Sequence, residues 1–206
     1  MRTSEEKLHY TSEHTFAKLK DALRGDKEMV IQMFEQRVKE LYLEPARLLI
    51  KCAKRRRNYI GSLFSAGLIC VSTIDFLGRY YTGCPERDVK CRFICWLLSY
   101  MQPPFYGYLA NKFYEDFRNG LVHECRIKNG GEFSLSIDNL FVLKEVDNRK
   151  YLVVNPEVLL EKIEEGFNKY LEDLRKNNIL SEDLTNCLKK DHKLDFLKIR
   201  DDNDEG

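Results

Sequence analysis

The sequence predicts a mainly α-helical bundle with a small β-hairpin inserted near residues 132–154. Apolar residues recur at three- and four-residue steps through long stretches on both sides of that segment, the period of an amphipathic helix. Only residues 132–154 switch to the two-residue alternation of a strand, and Gly, Pro and Asn punctuate the boundaries between the two regimes. The 206 residues are 43% hydrophobic, 33% charged and 12% aromatic, which excludes a disordered or low-complexity chain and suits one sizeable core.

Residues 1–15 read as a polar N-terminal segment, and residues 16–178 as the helical domain. Phe16–Leu23 is weakly periodic. Met29–Lys54 is a stronger helix, with Val30, Met33, Phe34, Val38, Leu41 and Leu48 on one side; Pro45 inside it predicts a break or kink at Glu44. Ile60–Tyr80 is a helix from the uncharged run between Arg57 and Asp75. That run has 17 residues and contains Gly61, Ser62, Ser65, Gly67, Ser72 and Thr73. A spanning helix needs about 20 mostly apolar residues, so a central buried helix is expected and no membrane partner. Thr82-Gly83-Cys84-Pro85 is a turn, Asp88–Met101 a helix closed by Pro103-Pro104, and Phe105–Arg126 a long helix ended by Asn129-Gly130-Gly131.

Glu132–Ile137, Leu140–Glu145 and Tyr151–Val154 then read as a hairpin or three-stranded flap, with Asp147-Asn148 as a turn. Asn155-Pro156 is an N-cap and first-position signal for an amphipathic helix over Val158–Leu174. Residues 179–206 form a charged helix that ends in an acidic tail.

Charge is unevenly spread. Residues 1–130 carry 22 Lys and Arg against 15 Asp and Glu; residues 131–206 carry 12 against 18. Such asymmetry leaves room for a polyanionic partner, or for nothing more than two unequal solvated faces. Arg47, Lys51, Lys54, Arg55, Arg56 and Arg57, with no acid between Glu44 and Asp75, read equally as an RNA-binding ridge or as cations at a helix C-terminus. Met1–Leu23 lacks the apolar core of a signal peptide, and the seven cysteines are odd in number, so a reducing cytoplasm is expected. Cys84, Cys91 and Cys95 lack a fourth ligand and a C-x2-C knuckle, so buried thiols are expected and no metal.

On a regular wheel, Ala110, Tyr114, Phe117, Leu121 and Cys125 form a core stripe of the helix over 105–126. Lys112, Asp116, Asn119, His123 and Arg126 form an opposite polar stripe, which reads either as a solvated face or as a site. Arg118 flanks that stripe, and Gly120 sits in its middle, where glycine costs about 1 kcal/mol against alanine unless something approaches closely. Arg118 and His123 stand about 140° apart and about 7.5 Å along the axis, so two helices crossing at Gly120 would join the pairs more easily than one helix alone.

Arg118-Asn119-Gly120-Leu121-Val122-His123 resembles the Arg-polar-x-x-x-His signature of HEPN domains, and the run from Phe113 to Phe133 is similar to a bacterial and archaeal subgroup of that superfamily. The resemblance implies an antiparallel helical bundle and a homodimer with Gly120 at its interface. It implies an endoribonuclease needing no metal or cofactor, which leaves a 2′,3′-cyclic phosphate. Arg118, His123 and Asn119 would be catalytic. Arg126, Lys128, Lys112, Lys54, Arg55, Arg56 and Arg57 would bind RNA, and an antitoxin or defence-complex protein would be a further partner. The residues themselves fit: an imidazole exchanges protons near neutral pH and a guanidinium holds phosphate. A non-catalytic RNA- or nucleotide-binding relative and a helical interaction protein are the alternatives.

Overall fold

A computed structural model describes residues 8–55, 60–83, 88–193 and 196. In chain order the elements are α1 (Phe16–Ala22), α2 (Lys27–Val38), a wide π-type turn (Lys39–Leu43), α3 (Glu44–Arg55), α4 (Ile60–Tyr81), α5 (Val89–Tyr100) and α6 (Gly107–Phe113). A second π-type segment (Tyr114–Asn119) and α7 (Gly120–Glu124) follow. Then come β1 (Glu132–Phe133), β2 (Phe141–Val146), β3 (Arg149–Val154), α8 (Pro156–Lys176) and α9 (Asn178–Asp191). The protein is mostly helical with one small sheet.

The uncharged run is the central helix. α4 is long and apolar enough to cross a membrane by length and composition, yet it packs against α3, α5, α8 and α9 inside the bundle. Cys70, Val71, Ile74 and Leu77 are fully buried along it. Its partners contribute large side chains: Trp96, Phe93, Phe167, Tyr170 and Phe34 have no exposed surface. Gly78 lets α5 come close, since a Cβ there would lie 2.6 Å from the carbonyl oxygen of Arg92. That approach brings Arg92 within reach of the next turn of α4.

Pro45 does not break the helix at Glu44. The chain stays helical and absorbs the proline in the wide turn at Lys39–Leu43, one turn upstream, where the ring would otherwise crowd a carbonyl. Residues 8–15, within the polar N-terminal segment, pack onto the bundle. Tyr10 is buried, the Ser12 amide donates to Glu40 at 2.9 Å, and Thr11 bonds Gln36 at 3.1 Å, so the segment lies along α2. The helix after residue 178 joins the core through Leu184, Cys187 and Leu188, and Tyr80 donates to Asp191 at 2.8 Å. The acidic tail lies outside the described residues.

The hairpin is β2–β3, joined at Asp147-Asn148, whose φ values of 50° and 60° suit the primed turn that right-twisted strands favour. The strand expected over 132–137 shortens to β1, which pairs parallel to β3. Ser134 ends it by accepting from the Ser136 amide at 3.2 Å, a local turn that competes with the ladder. Asn155 caps α8 as expected, accepting from Glu157 N at 2.9 Å, and its other side-chain atom donates to Ile137 O at 2.6 Å.

Aromatic contacts tie the second π-type segment to the sheet: Phe113 stacks on Phe117 at 5.2 Å, and Phe117 meets Phe133 with tilted rings at 5.1 Å between centroids. Phe117 has no exposed surface. Phe117→Ala should therefore cost about 3–5 kcal/mol in urea denaturation. Cys70 and Cys187 are buried, their thiols pushed up by desolvation to about 12 and about 11. Iodoacetamide should leave both unmodified in the native protein while the exposed Cys52 and Cys125 react, as mass spectrometry would report.

Candidate functional site

The motif helix is not the regular helix over 105–126 that the wheel assumes. It runs as α6, the π-type segment and α7, and ends at Glu124; Cys125 adopts a left-handed conformation with φ 52°. Cys125 is therefore exposed and leaves the core stripe, whereas Ala110, Tyr114, Phe117 and Leu121 remain in it. The helix ends well before Asn129-Gly130-Gly131 because the chain turns back on itself: the Arg126 amide donates to Gly120 O at 3.2 Å and the Lys128 amide to Asp116 O at 2.8 Å.

That return explains Gly120. A Cβ there would lie 2.3 Å from the carbonyl oxygen of Arg126, so the close approach is made by the protein's own loop. Gly120 is buried against the loop of its own chain. The polar stripe is likewise divided. Asp116 is buried, takes a hydrogen bond from Asn129 at 2.5 Å and forms an ion pair with Lys112 at 2.7 Å. Lys112, whose side chain is 11% exposed, is engaged in that pair and is no surface contact for RNA.

Arg118 and His123 meet on one helix, contrary to the 140° expectation. The Arg118 Nη1 donates to His123 Nε2 at 2.9 Å, and lies 3.5 Å from Asn119 Oδ1. Arg118 reaches His123 across the junction of the π-type segment with α7, where regular wheel angles no longer apply. A guanidinium only donates, so in this contact Nε2 is the acceptor. His123 is exposed while Arg118 is only 7% exposed.

Asp75 holds Arg118 in place. Its Oδ2 accepts from Arg118 Nη2 at 2.7 Å and its Oδ1 from Arg92 Nε at 3.1 Å, so one carboxylate on α4 bridges guanidiniums from α5 and the motif helix. A parallel link lies beside it: Glu115 accepts from Lys90 at 2.7 Å and from Asn119 at 2.9 Å. The hydrogen bond from Lys90 holds the Glu115 carboxyl below the usual carboxylate range. The ring of Tyr114 lies 5.8 Å from the Arg118 guanidinium.

The carboxylate that the polar stripe offers, Asp116, turns inward, and the fold brings two others to the motif, Asp75 and Glu115. Asp75 had a readable signal as the first charge after a 17-residue uncharged run in a helix expected to be buried, since such a charge must find a partner. Arg92 and Lys90 had none, because only the packing of α5 on α4 brings them in.

The remaining cations are partly engaged. Arg126 and Lys128 both pair with Glu124, at 2.6 Å for Arg126, so each is offset by an acid of the same helix end. Lys54 pairs with Glu157 at 2.5 Å and Arg47 with Glu164, which ties the α3 ridge to α8. Arg55 is exposed. Arg56 and Arg57 lie outside the described residues, and so does Cys84. Among the described residues no group of three or more His, Cys, Asp or Glu side chains converges as a metal site would.

Asp75→Ala would leave the buried Arg118 guanidinium without its acid and remove one partner of Arg92, and should cost about 3–5 kcal/mol in urea denaturation. Gly120→Ala should destabilise the fold while leaving the sedimentation coefficient unchanged; a shifted oligomeric state at unchanged stability would contradict an intramolecular role. Glu115, lowered in the native state, contributes stability above its unfolded value of about 4.3 that is lost as pH falls through its lower native value. Glu115→Gln should make the acid limb of the stability–pH curve shallower. No protein family, curated protein or solved structure matches this chain, so the geometry of these residues alone carries the functional reading.

Proposed function

We propose that this chain is a metal-independent endoribonuclease of the HEPN type, with Arg118 and His123 as its catalytic pair. The observation that carries the reading is the 2.9 Å contact between a buried, acid-anchored guanidinium and an exposed imidazole. Once Arg118 Nη1 turns from His123 Nε2 to a phosphate, the freed Nε2 lone pair can take the proton of an RNA 2′-hydroxyl. The 2′-oxygen then attacks the adjacent phosphorus, the bond to the 5′-oxygen breaks, and that oxygen takes a proton from the imidazolium or solvent. Arg118, fixed by Asp75 at Nη2, presents Nη1 to the phosphoryl oxygens as charge builds on them. Asn119, held by Glu115, lines the same edge and positions the phosphate or the ring. Arg126, Lys128 and Arg55 are the exposed or half-buried cations that follow the RNA backbone, and homodimerisation and an antitoxin or defence-complex partner are carried over from the HEPN resemblance.

Because both groups come from one helix, a site built this way does not borrow either from a second subunit. Mixing Arg118→Ala with His123→Ala protein should leave cleavage at background; recovery of activity on mixing would mean that the pair is shared between protomers. The acids beside the pair are already matched by Arg92, Arg118, Lys90 and Asn119, which supports a reaction without metal. Cleavage should survive excess EDTA and leave 2′,3′-cyclic phosphate ends, read by end-mapping on a mixed RNA pool; loss on chelation with rescue by magnesium would refute it.

His123 is the clean probe, since it is exposed: His123→Ala should abolish cleavage with little change in stability. Arg118→Ala should abolish cleavage and also destabilise the fold, because Arg118 is buried against Asp75. The same burial favours a second reading, a non-catalytic HEPN-like RNA- or nucleotide-binding subunit in which Arg118 is structural. Wild-type protein that binds single-stranded RNA with a steep salt dependence but never cleaves it would favour that reading.

A further inference from the structure

Cysteine is among the residues most often buried, so a pair of thiols on an outer helix face calls for a chemical reason. Cys91 and Cys95 sit one turn apart on α5, Cys91 exposed and Cys95 half-buried, which overturns the expectation of two buried thiols. Their sulfurs are 3.9 Å apart. Both positions are fixed by a helix that begins at an Asp88 cap and buries Phe93, Trp96 and Leu97 on its other side.

The spacing discriminates between chemistries. Residues four apart on a helix have Cβ atoms about 5–6 Å apart, whereas a disulfide needs about 3.5–4.5 Å, so closing an S–S bond would require unwinding the first turn of α5. A single soft atom between the sulfurs requires no such movement. With metal–sulfur bonds of about 2.3 Å, sulfurs 3.9 Å apart subtend about 116° at the metal, between the tetrahedral and trigonal angles.

We propose that Cys91 and Cys95 form a two-thiolate site for a soft, thiophilic d10 cation of the class of zinc, cadmium or monovalent copper. Binding displaces the two thiol protons to solvent and forms two metal–sulfur bonds without change of oxidation state. Among the described residues no cluster of three or more His, Cys, Asp or Glu includes the pair, so the site assigned here consists of the two thiolates. The site is separate from the Arg118–His123 pair and does not depend on its being catalytic. It shares the first turns of α5 with Lys90 and Arg92, the residues that hold Glu115 and Asp75, so a bound ion staples the turn that supports that pair.

Cadmium chloride titrated into the reduced full-length protein tests this by the ultraviolet thiolate-to-cadmium charge-transfer band. One equivalent should produce the band. Cys91→Ser and Cys95→Ser should each weaken binding about 100-fold or more, since each removes the intramolecular second ligand. Cys52→Ser and Cys125→Ser should leave the titration unchanged. Should Cys95→Ser fail to fold, the wild type still decides: bound cadmium should protect Cys91 and Cys95 from iodoacetamide while Cys52 and Cys125 are alkylated. A band that persists in Cys91→Ser, a titration abolished by Cys52→Ser or Cys125→Ser, or alkylation of Cys91 at an unchanged rate with cadmium present would overturn the proposal.

Discussion

The Asp75 carboxylate is shared between two guanidiniums, and the architecture around it follows from the need to satisfy that charge. A carboxylate on a central, largely uncharged helix is tolerable only if both oxygens are matched. Arg92 meets one oxygen and Arg118 the other. Matching them fixes α5 against α4, with Gly78 supplying the clearance, and fixes the motif helix against both. What reaches solvent from this arrangement is the His123 imidazole that Arg118 touches. The charge that sets the packing and the groups available for chemistry therefore belong to one connected network, and an alteration at any member is felt at the others.

Much of the fold is legible in the residues because local physics and tertiary packing agree. The uncharged run delimits α4, Asn155-Pro156 opens α8, and Asp147-Asn148 turns the hairpin, each through a preference that the rest of the chain leaves undisturbed. The site is less legible. Arg118, Asn119 and His123 stand out in the sequence, but their mutual placement does not, because a regular wheel assumes 100° per residue and the helix departs from it between Tyr114 and Asn119. The same assumption placed Asp116 and Lys112 in solvent when they are an internal pair. Gly120 was rightly read as a point of close approach, but a sequence does not say whether the approaching backbone is the chain's own or a copy's.

The cations illustrate a different limit. A run of Lys and Arg without acids nearby in sequence looks available, yet Arg47 and Lys54 find Glu164 and Glu157 more than 100 positions away. Charge balance is a property of the surface that folding assembles. Only exposure and pairing in three dimensions separate a cation that can meet a phosphate from one that joins two helices.

The π-type segment has a consequence for how this helix tolerates change in length. A π-bulge behaves as one extra residue accommodated within an α-helix, so the two ends keep separate registers. Upstream, Phe113 remains stacked in the core; downstream, Leu121 is buried while His123 faces out. Removing any one residue between Tyr114 and Asn119 would take out that extra residue and restore a regular helix, with both ends keeping the faces they now present. Leu121 would stay in the core and His123 in solvent. This π-type segment therefore lets the chain gain or lose a residue there without disturbing the faces at either end.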